Sequence, residues 1–349
     1  MGEVALAQPP RGVAPTRRER LGRLLRLAAD LDRKGWISKG EKGFLKELIV
    51  HQNERVLAVA DRLVGDKGEM ERELEVLRPL IKQRASNSYR ELFDICSLEN
   101  AHCLATAEAE TLAKGTGQNT ESLVYGEVEF DAFYDIVQAA VRDLQPWPQR
   151  ERQKGAHAGH DAGDAGGAGE GDGLKMYDLG SGSGRAIFVA ALCADFGCVV
   201  GIEVLQSMHE AAEGVLLRYR ELVEPVLPSP AVIRLYHGSF LAAEFDWTDG
   251  DLVFANSTCF DDHTLRAIAS KAVGLRAGAK VITFTVALRT LWLEVVVKQR
   301  RMMSWGPVTV FVHRKLSEEE YARRLVTPTT FDEDQAIVRR PAEGACQCP

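Results

Sequence analysis

The sequence predicts an α/β protein, a mostly parallel sheet with helices on both faces, preceded by a helical domain. From Lys175 onward short apolar runs alternate with stretches of helical period, as repeated βα units require. Before Ser122 the apolar residues recur at helical spacing instead. Between the first strand and the helix after it stands a glycine-rich turn, Asp178-Leu179-Gly180-Ser181-Gly182-Ser183-Gly184, at the βα junction where such sheets bind their ligands.

Taken in chain order, residues 1–16 are expected to be disordered and residues 17–121 to form the helical domain. Leu21, Leu24, Leu25 and Ala28 form the first stripe, and Ser38-Lys39-Gly40-Glu41 has the form of a capping box before Leu45, Leu48 and Ile49. A third stripe runs through Met70, Leu74, Leu77 and Ile81, and a fourth through Leu92, Phe93, Cys96 and Leu104. These stripes read as core-facing, and none carries chemistry. The α/β domain is expected over 122–316, with residues 150–173 as a disordered insert. Within it, 155–173 holds eight glycines and no large apolar residue, so nothing there offsets the entropy of ordering it. His157 and His160 in that insert are not read as metal ligands, and no metal site is expected.

After the insert come strands at Lys175–Leu179, Val199–Val204, Val232–Tyr236, Leu252–Ala255 and Lys280–Thr285. Helices are expected at Ala186–Ala194, Met208–Val223 and Thr264–Gly274. Leu293–Lys298 and Val308–His313, flanking Ser304-Trp305-Gly306-Pro307, complete seven strands as an antiparallel hairpin at the sheet edge. Residues 317–349 read as a tail.

Composition narrows the function. Net charge is −7 at 349 residues, which argues against a general nucleic-acid binder. Arg17 to Val50 carries ten Lys/Arg against five Asp/Glu, at most a weak basic patch for phosphates. The seven cysteines show no disulfide-framework spacing. No leader-like apolar segment or membrane-length run is present, and a soluble intracellular protein is expected.

The glycine turn does not fit a dinucleotide. That fingerprint places its third glycine three residues after the second, where this chain has Arg185; Gly184 comes one residue earlier. Asp-x-Gly-x-Gly-x-Gly instead suits S-adenosylmethionine, which has no phosphate but carries an ammonium and a sulfonium. Asp178 can attract the positive end, with Gly180, Ser181, Gly182, Gly184 and Arg185 beneath the cofactor. Glu203, ending the second strand, can accept from ribose hydroxyls; Ser239 and Phe240 are placed to bond and stack the adenine.

Val124-Tyr125-Gly126-Glu127, the Asp178–Gly184 turn, Gly201–Glu203, Gly238–Leu241, Phe254-Ala255-Asn256-Ser257-Thr258-Cys259-Phe260 and Ser304-Trp305 together resemble the non-SET histone lysine methyltransferases of the disruptor-of-telomeric-silencing class. The likeness runs from about Ser122 to Lys315 and implies a Rossmann-like, seven-stranded methyltransferase sheet. It implies a histone or nucleosome as substrate and a nuclear location, with the cytoplasm as the alternative. Tyr125 and Glu127 would close over the methionine end of the cofactor. Asn256 and Phe260 would line the mouth where the methyl group meets the target nitrogen, and Trp305 would wall the lysine channel. The chain departs from the family at Ser239, Arg185 and Val310. A methyltransferase of another protein or of a small molecule, and a catalytically silent binding module, remain the alternatives.

Overall fold

The structure is a computed structural model, described here for residues 15–51, 53–62, 67–116, 126–146 and 173–326. The expected N-terminal disorder (but for residues 15 and 16), the insert up to residue 172, the chain beyond 326 and Tyr125 lie outside the described residues.

The chain divides into two compact units, residues 1–85 with 226–228, and residues 86–225 with 229–349. The first holds α1 (Arg17–Arg33), α2 (Lys39–Val50), α3 (Glu54–Arg62) and most of α4 (Lys67–Leu92). Capping boxes start two of them. Thr16 with Glu19, and Ser38 with Glu41, each satisfy the free N–H groups of a first turn. The first stripe is rotated from its expected position: Leu24, Leu27, Ala28 and Leu31 are buried, while Leu25 is about half exposed. Phe44, Leu45, Ile49, Leu77 and Ile81 complete this core. The basic excess is partly neutralised, because Arg20, Arg33 and Lys42 pair with Asp61, Asp30 and Asp32.

The second unit begins inside α4, at Ser86. It takes in α5 (Leu98–Thr116) and α6 (Phe130–Val141), then a seven-stranded sheet. Its strands are β1 (Leu174–Leu179), β2 (Phe196–Glu203), β3 (Val232–His237), β4 (Leu252–Ala255), β5 (Lys280–Phe284), β6 (Leu293–Met303) and β7 (Gly306–Lys315), in the order β3-β2-β1-β4-β5-β7-β6. The first five run parallel, and β7 enters antiparallel between β5 and β6. Every residue of β1, β2, β4 and β5 is buried, which explains why they read as unbroken apolar runs.

Helices α7 (Arg185–Cys193), α8 (Gln206–Leu222) and α9 (Asp262–Lys271) supply the crossovers. On one face Phe133 of α6 meets Phe254 at 4.6 Å and Phe188 of α7 meets Tyr219 of α8 at 5.7 Å. On the other, Leu265, Ile268 and Ala269 of α9 pack with Tyr177, Val253 and Val281. α10 (Glu318–Val326) occupies the start of the expected tail. It is capped by Ser317 and Glu320 and anchored by the stack of Tyr321 on Trp292, 3.8 Å between centroids. Among the described residues no helix is long and apolar enough to cross a membrane.

Candidate functional site

Strand order reverses between β1 and β4, and this switch point opens a crevice beyond the carboxyl ends of the strands. A cavity of about 270 Å³ lies there. Its floor is the turn after β1. Gly180, Gly182 and Gly184 take φ of 82°, 53° and 88°, a left-handed backbone that side chains resist. Gly180 and Ser181 N–H both donate to Ile202 O, at 2.9 and 3.2 Å, which ties the turn to the end of β2.

Two strand-end carboxylates, Asp178 and Glu203, line the cavity together with Glu127. Asp178 closes β1, is 2% exposed, and its Oδ1 has no hydrogen-bond partner among the described residues. Burial, and then the neighbouring Glu203 charge, hold the Asp178 carboxyl well above its usual range. Glu203 ends β2. Its Oε2 accepts from Gly182 N at 2.7 Å and its Oε1 from Leu205 N at 2.8 Å. Burial raises its pKa, opposed by those backbone donors. A carboxylate has about four acceptor positions, so Glu203 keeps capacity for a ligand.

The third wall holds an aromatic pair. Phe240 and Phe260 stack with centroids 5.6 Å apart, and Phe260 Cζ would lie 3.6 Å from a Cβ built on Gly180. Ser239 is exposed at the rim, its Oγ accepting from Leu241 N at 3.3 Å. Asn256, just past β4, donates from Nδ2 to Gly126 O at 2.8 Å and accepts on Oδ1 from Thr258 Oγ1 at 3.1 Å. Both ends of its amide are thus engaged by the protein itself.

Glu127 is held from behind. Ser183 Oγ donates to its Oε1 at 2.9 Å, and its Oε2 pairs with Arg185 Nε. Arg185 Nη2 also donates to Cys96 O at 3.1 Å, and the guanidinium lies 4.2 Å over the Phe93 ring. The Arg185 guanidinium therefore fixes Glu127 and the start of α7. Both residues also line the cavity.

Of the residues expected from the sequence, Glu127, Asp178, Gly180, Ser181, Gly182, Arg185, Glu203, Ser239, Phe240, Asn256 and Phe260 meet around this one cavity. Gly184 lies under the floor, where a Cβ would come within 2.9 Å of Phe188. Trp305 stands behind the wall: its ring lies against Gly126, where a Cβ would be 3.1 Å from Cε3, and its Nε1 is buried without a partner among the described residues. Leu205, Met208, Leu241 and Thr264 also line the cavity and were not foreseen. Leu205 and Met208 carried the available signal, since they follow an acidic strand end at the turn into the next helix. Among the described residues no group of three or more His, Cys, Asp or Glu is placed to hold a metal ion.

Residues 171–304 match the family described as "Histone methylation protein DOT1". No curated protein matches the sequence. Among solved structures the chain is similar to TrmN from Thermus thermophilus, at 16% identity over 54% of this chain and 52% of that one, with a TM-score of 0.37. A putative methylase from Haemophilus influenzae matches at 15% identity over 42% of this chain and 81% of that one, TM-score 0.32. An arsenic(III) S-adenosylmethionine methyltransferase from Chlamydomonas reinhardtii matches at 17% identity over 52% and 73%, TM-score 0.32. This chain spans about half the length of the first, and TM-scores this low decide nothing about substrate. The resemblance to the DOT1 family over the α/β unit supports an S-adenosylmethionine-dependent methyltransferase.

Proposed function

We propose that this chain transfers the methyl group of S-adenosylmethionine to a lysine side chain of a protein, with a histone as the first candidate. The observation that carries the cofactor half is the buried Asp178 Oδ1, without a partner among the described residues, beside Glu203 and a turn of three left-handed glycines. A dinucleotide phosphate would be repelled by two carboxylates in such a crevice; a ligand bearing an ammonium and a sulfonium is attracted. The family match supports the lysine half.

When bound, the cofactor supplies an electrophilic methyl group whose carbon–sulfur bond breaks as the carbon–nitrogen bond forms. The protein's task is alignment. Asp178 would hold the cationic end, Glu203 the ribose hydroxyls, and Phe240 with Leu205 and Met208 the adenine. Phe260 and the apolar wall around Asn256 disfavour an ammonium ion, so the lysine sheds its proton to water before it attacks. Asn256, locked between Gly126 and Thr258, would present its Oδ1 to the amine. On this reading Asn256→Ala lowers turnover by about tenfold or more while cofactor affinity stays near wild type; equal losses in both remove the role.

The deciding experiment is transfer of labelled methyl onto nucleosomes, free histones and a whole-cell extract, followed by amino-acid analysis. Gly182→Val, which forces a branched side chain into a φ of 53°, is the inactive control. Methyl-lysine in histone supports the proposal. Labelled lysine in other proteins alone moves the substrate outside chromatin, and transfer to a small molecule or to nothing overturns the protein-lysine reading.

A further inference from the structure

Away from the cavity, the sheet ends in a strand unlike the rest of the surface. The chain carries a net −7, yet between Glu294 and Glu318 it has five Lys/Arg and no Asp/Glu. Three of these, Lys298, Arg300 and Arg301, lie exposed on β6. Among the described residues none of the three has an ion-pair or hydrogen-bond partner, whereas Arg314 on the neighbouring strand is held by Glu294 and Glu320.

β6 is the last strand of the sheet, so half of its backbone N–H and C=O groups point away from β7. Near its start α10 uses this margin: Arg324 Nη1 donates to Leu291 O and Leu293 O at 3.4 and 3.0 Å. Farther on, Val296, Val297 and Met302 are 41%, 37% and 64% exposed. Past the register shift at Val295–Val297, Lys298 and Arg300 share one face of the strand and Arg301 takes the other.

We infer that the β6 edge from Val296 to Met302 is the docking edge for an extended, acidic segment of a partner protein, which adds to the sheet as a further strand. Backbone pairing supplies affinity, Lys298 and Arg300 on one face select carboxylates at alternate positions of the incoming strand, and Arg301 on the other face adds to the attraction for its net negative charge. The exposed valines and Met302 receive its apolar side chains. A nucleic acid would meet the cations but leave the strand edge unpaired and the valines uncovered. The edge also leads to the cavity. At the hairpin tip Ser304 Oγ donates to Glu127 O at 2.8 Å, and Trp305 lies against Gly126. A partner seated on β6 is therefore held beside the wall that carries Glu127 and Asn256.

The test measures binding and does not depend on catalysis. The full chain is titrated into a fluorescein-labelled peptide of alternating Glu and Val, as long as β6, and anisotropy is followed. Saturable binding that weakens with added salt is expected, with no binding of the Lys/Val counterpart. The triple reversal K298E/R300E/R301E should lose at least about tenfold in affinity, with thermal melting and S-adenosylhomocysteine binding unchanged. A peptide of the same charge interrupted by proline, which cannot pair along a strand, should bind at least about tenfold more weakly. Equal binding of the proline peptide, an unaffected triple variant, displacement by duplex DNA at lower concentration than by unlabelled peptide, or no saturable binding would each overturn the inference.

Discussion

Proton release on cofactor binding is the sharpest consequence of the site. Asp178 is buried, its Oδ1 has no partner among the described residues, and the adjacent Glu203 charge adds to burial in raising its pKa from the ordinary 3.8. In the free protein the proton therefore stays on Asp178 to higher pH than usual. A bound ammonium or sulfonium reverses that preference, because an opposite charge stabilises the carboxylate. The sign follows. The bound form holds fewer protons than the free form, so cofactor affinity rises with pH until the free-state pKa is passed, then levels off. One linked proton gives a slope of at most about tenfold per pH unit, or about 1.4 kcal/mol. Asp178→Asn keeps the shape and removes the charge. A hydrogen bond to a charged group contributes about 2 kcal/mol, so the variant should bind about 30-fold more weakly and lose the slope. Calorimetric titration with S-adenosylhomocysteine, in two buffers of different ionisation enthalpy, counts the protons. No buffer dependence in the wild type, or wild-type affinity in Asp178→Asn, would refute the assignment of this carboxylate.

Three further outcomes are expected. His313 is buried, donates from Nδ1 to Val281 O, accepts on Nε2 from Leu288 N, and has its pKa lowered from 6.5 to about 4 by burial. Its neutral form is favoured by the fold, so its contribution is complete above about pH 6.5 and falls away as pH drops toward 4, about 3 kcal/mol in all; urea midpoints of wild type and His313→Gln should converge over that window. Thr285 takes φ of 68°, the sole positive-φ residue other than glycine among the described residues, and a branched side chain there is strained by about 1 kcal/mol or more. Thr285→Gly should raise the urea midpoint accordingly, and a lowered midpoint would show that the Thr285–Thr258 hydroxyl contact outweighs the strain. Arg185→Met leaves the Glu127 carboxylate, 2% exposed, without its guanidinium and should cost about 3 kcal/mol in chemical denaturation. Adding Glu127→Leu should recover most of that; no recovery would mean that the cost lies in packing on Phe93 rather than in charge.

The fold was legible where burial is uniform. Leu252–Ala255 reads as a strand and forms one, because four apolar residues between polar flanks have no other stable place in a βα series. β2 begins at Phe196 rather than Val199, since Gly197 and Cys198 look like a break although Cys198 pairs in register with Val232. β6 runs on through Lys298–Met303 for a different reason. An edge strand with both faces partly wet carries no alternation to read, so its charged half passes for a loop. The terminal helix had a visible signal, Ser317 three residues before Glu320, the same reciprocal cap that marked α2. Both compact units contain turns of α4; helical periodicity reports a helix and cannot report which core each turn serves.

At the site, the sequence located groups but not their obligations. Residue types and strand ends place Asp178, Glu203, Phe240 and Asn256 around one crevice, and they meet there. What spacing cannot reveal is which of them the protein already uses. Glu203 holds the backbone of its own turn, Asn256 bridges Gly126 and Thr258, and Glu127 is clamped by Arg185 and Ser183. Among the described residues, Asp178 alone of these keeps a buried acceptor oxygen with neither a hydrogen-bond nor an ion-pair partner. A buried carboxylate that the fold leaves unsatisfied is costly unless a ligand completes it. On the proposed reading the three engaged groups fix the shape of the crevice, and Asp178 sets the charge of what the crevice takes.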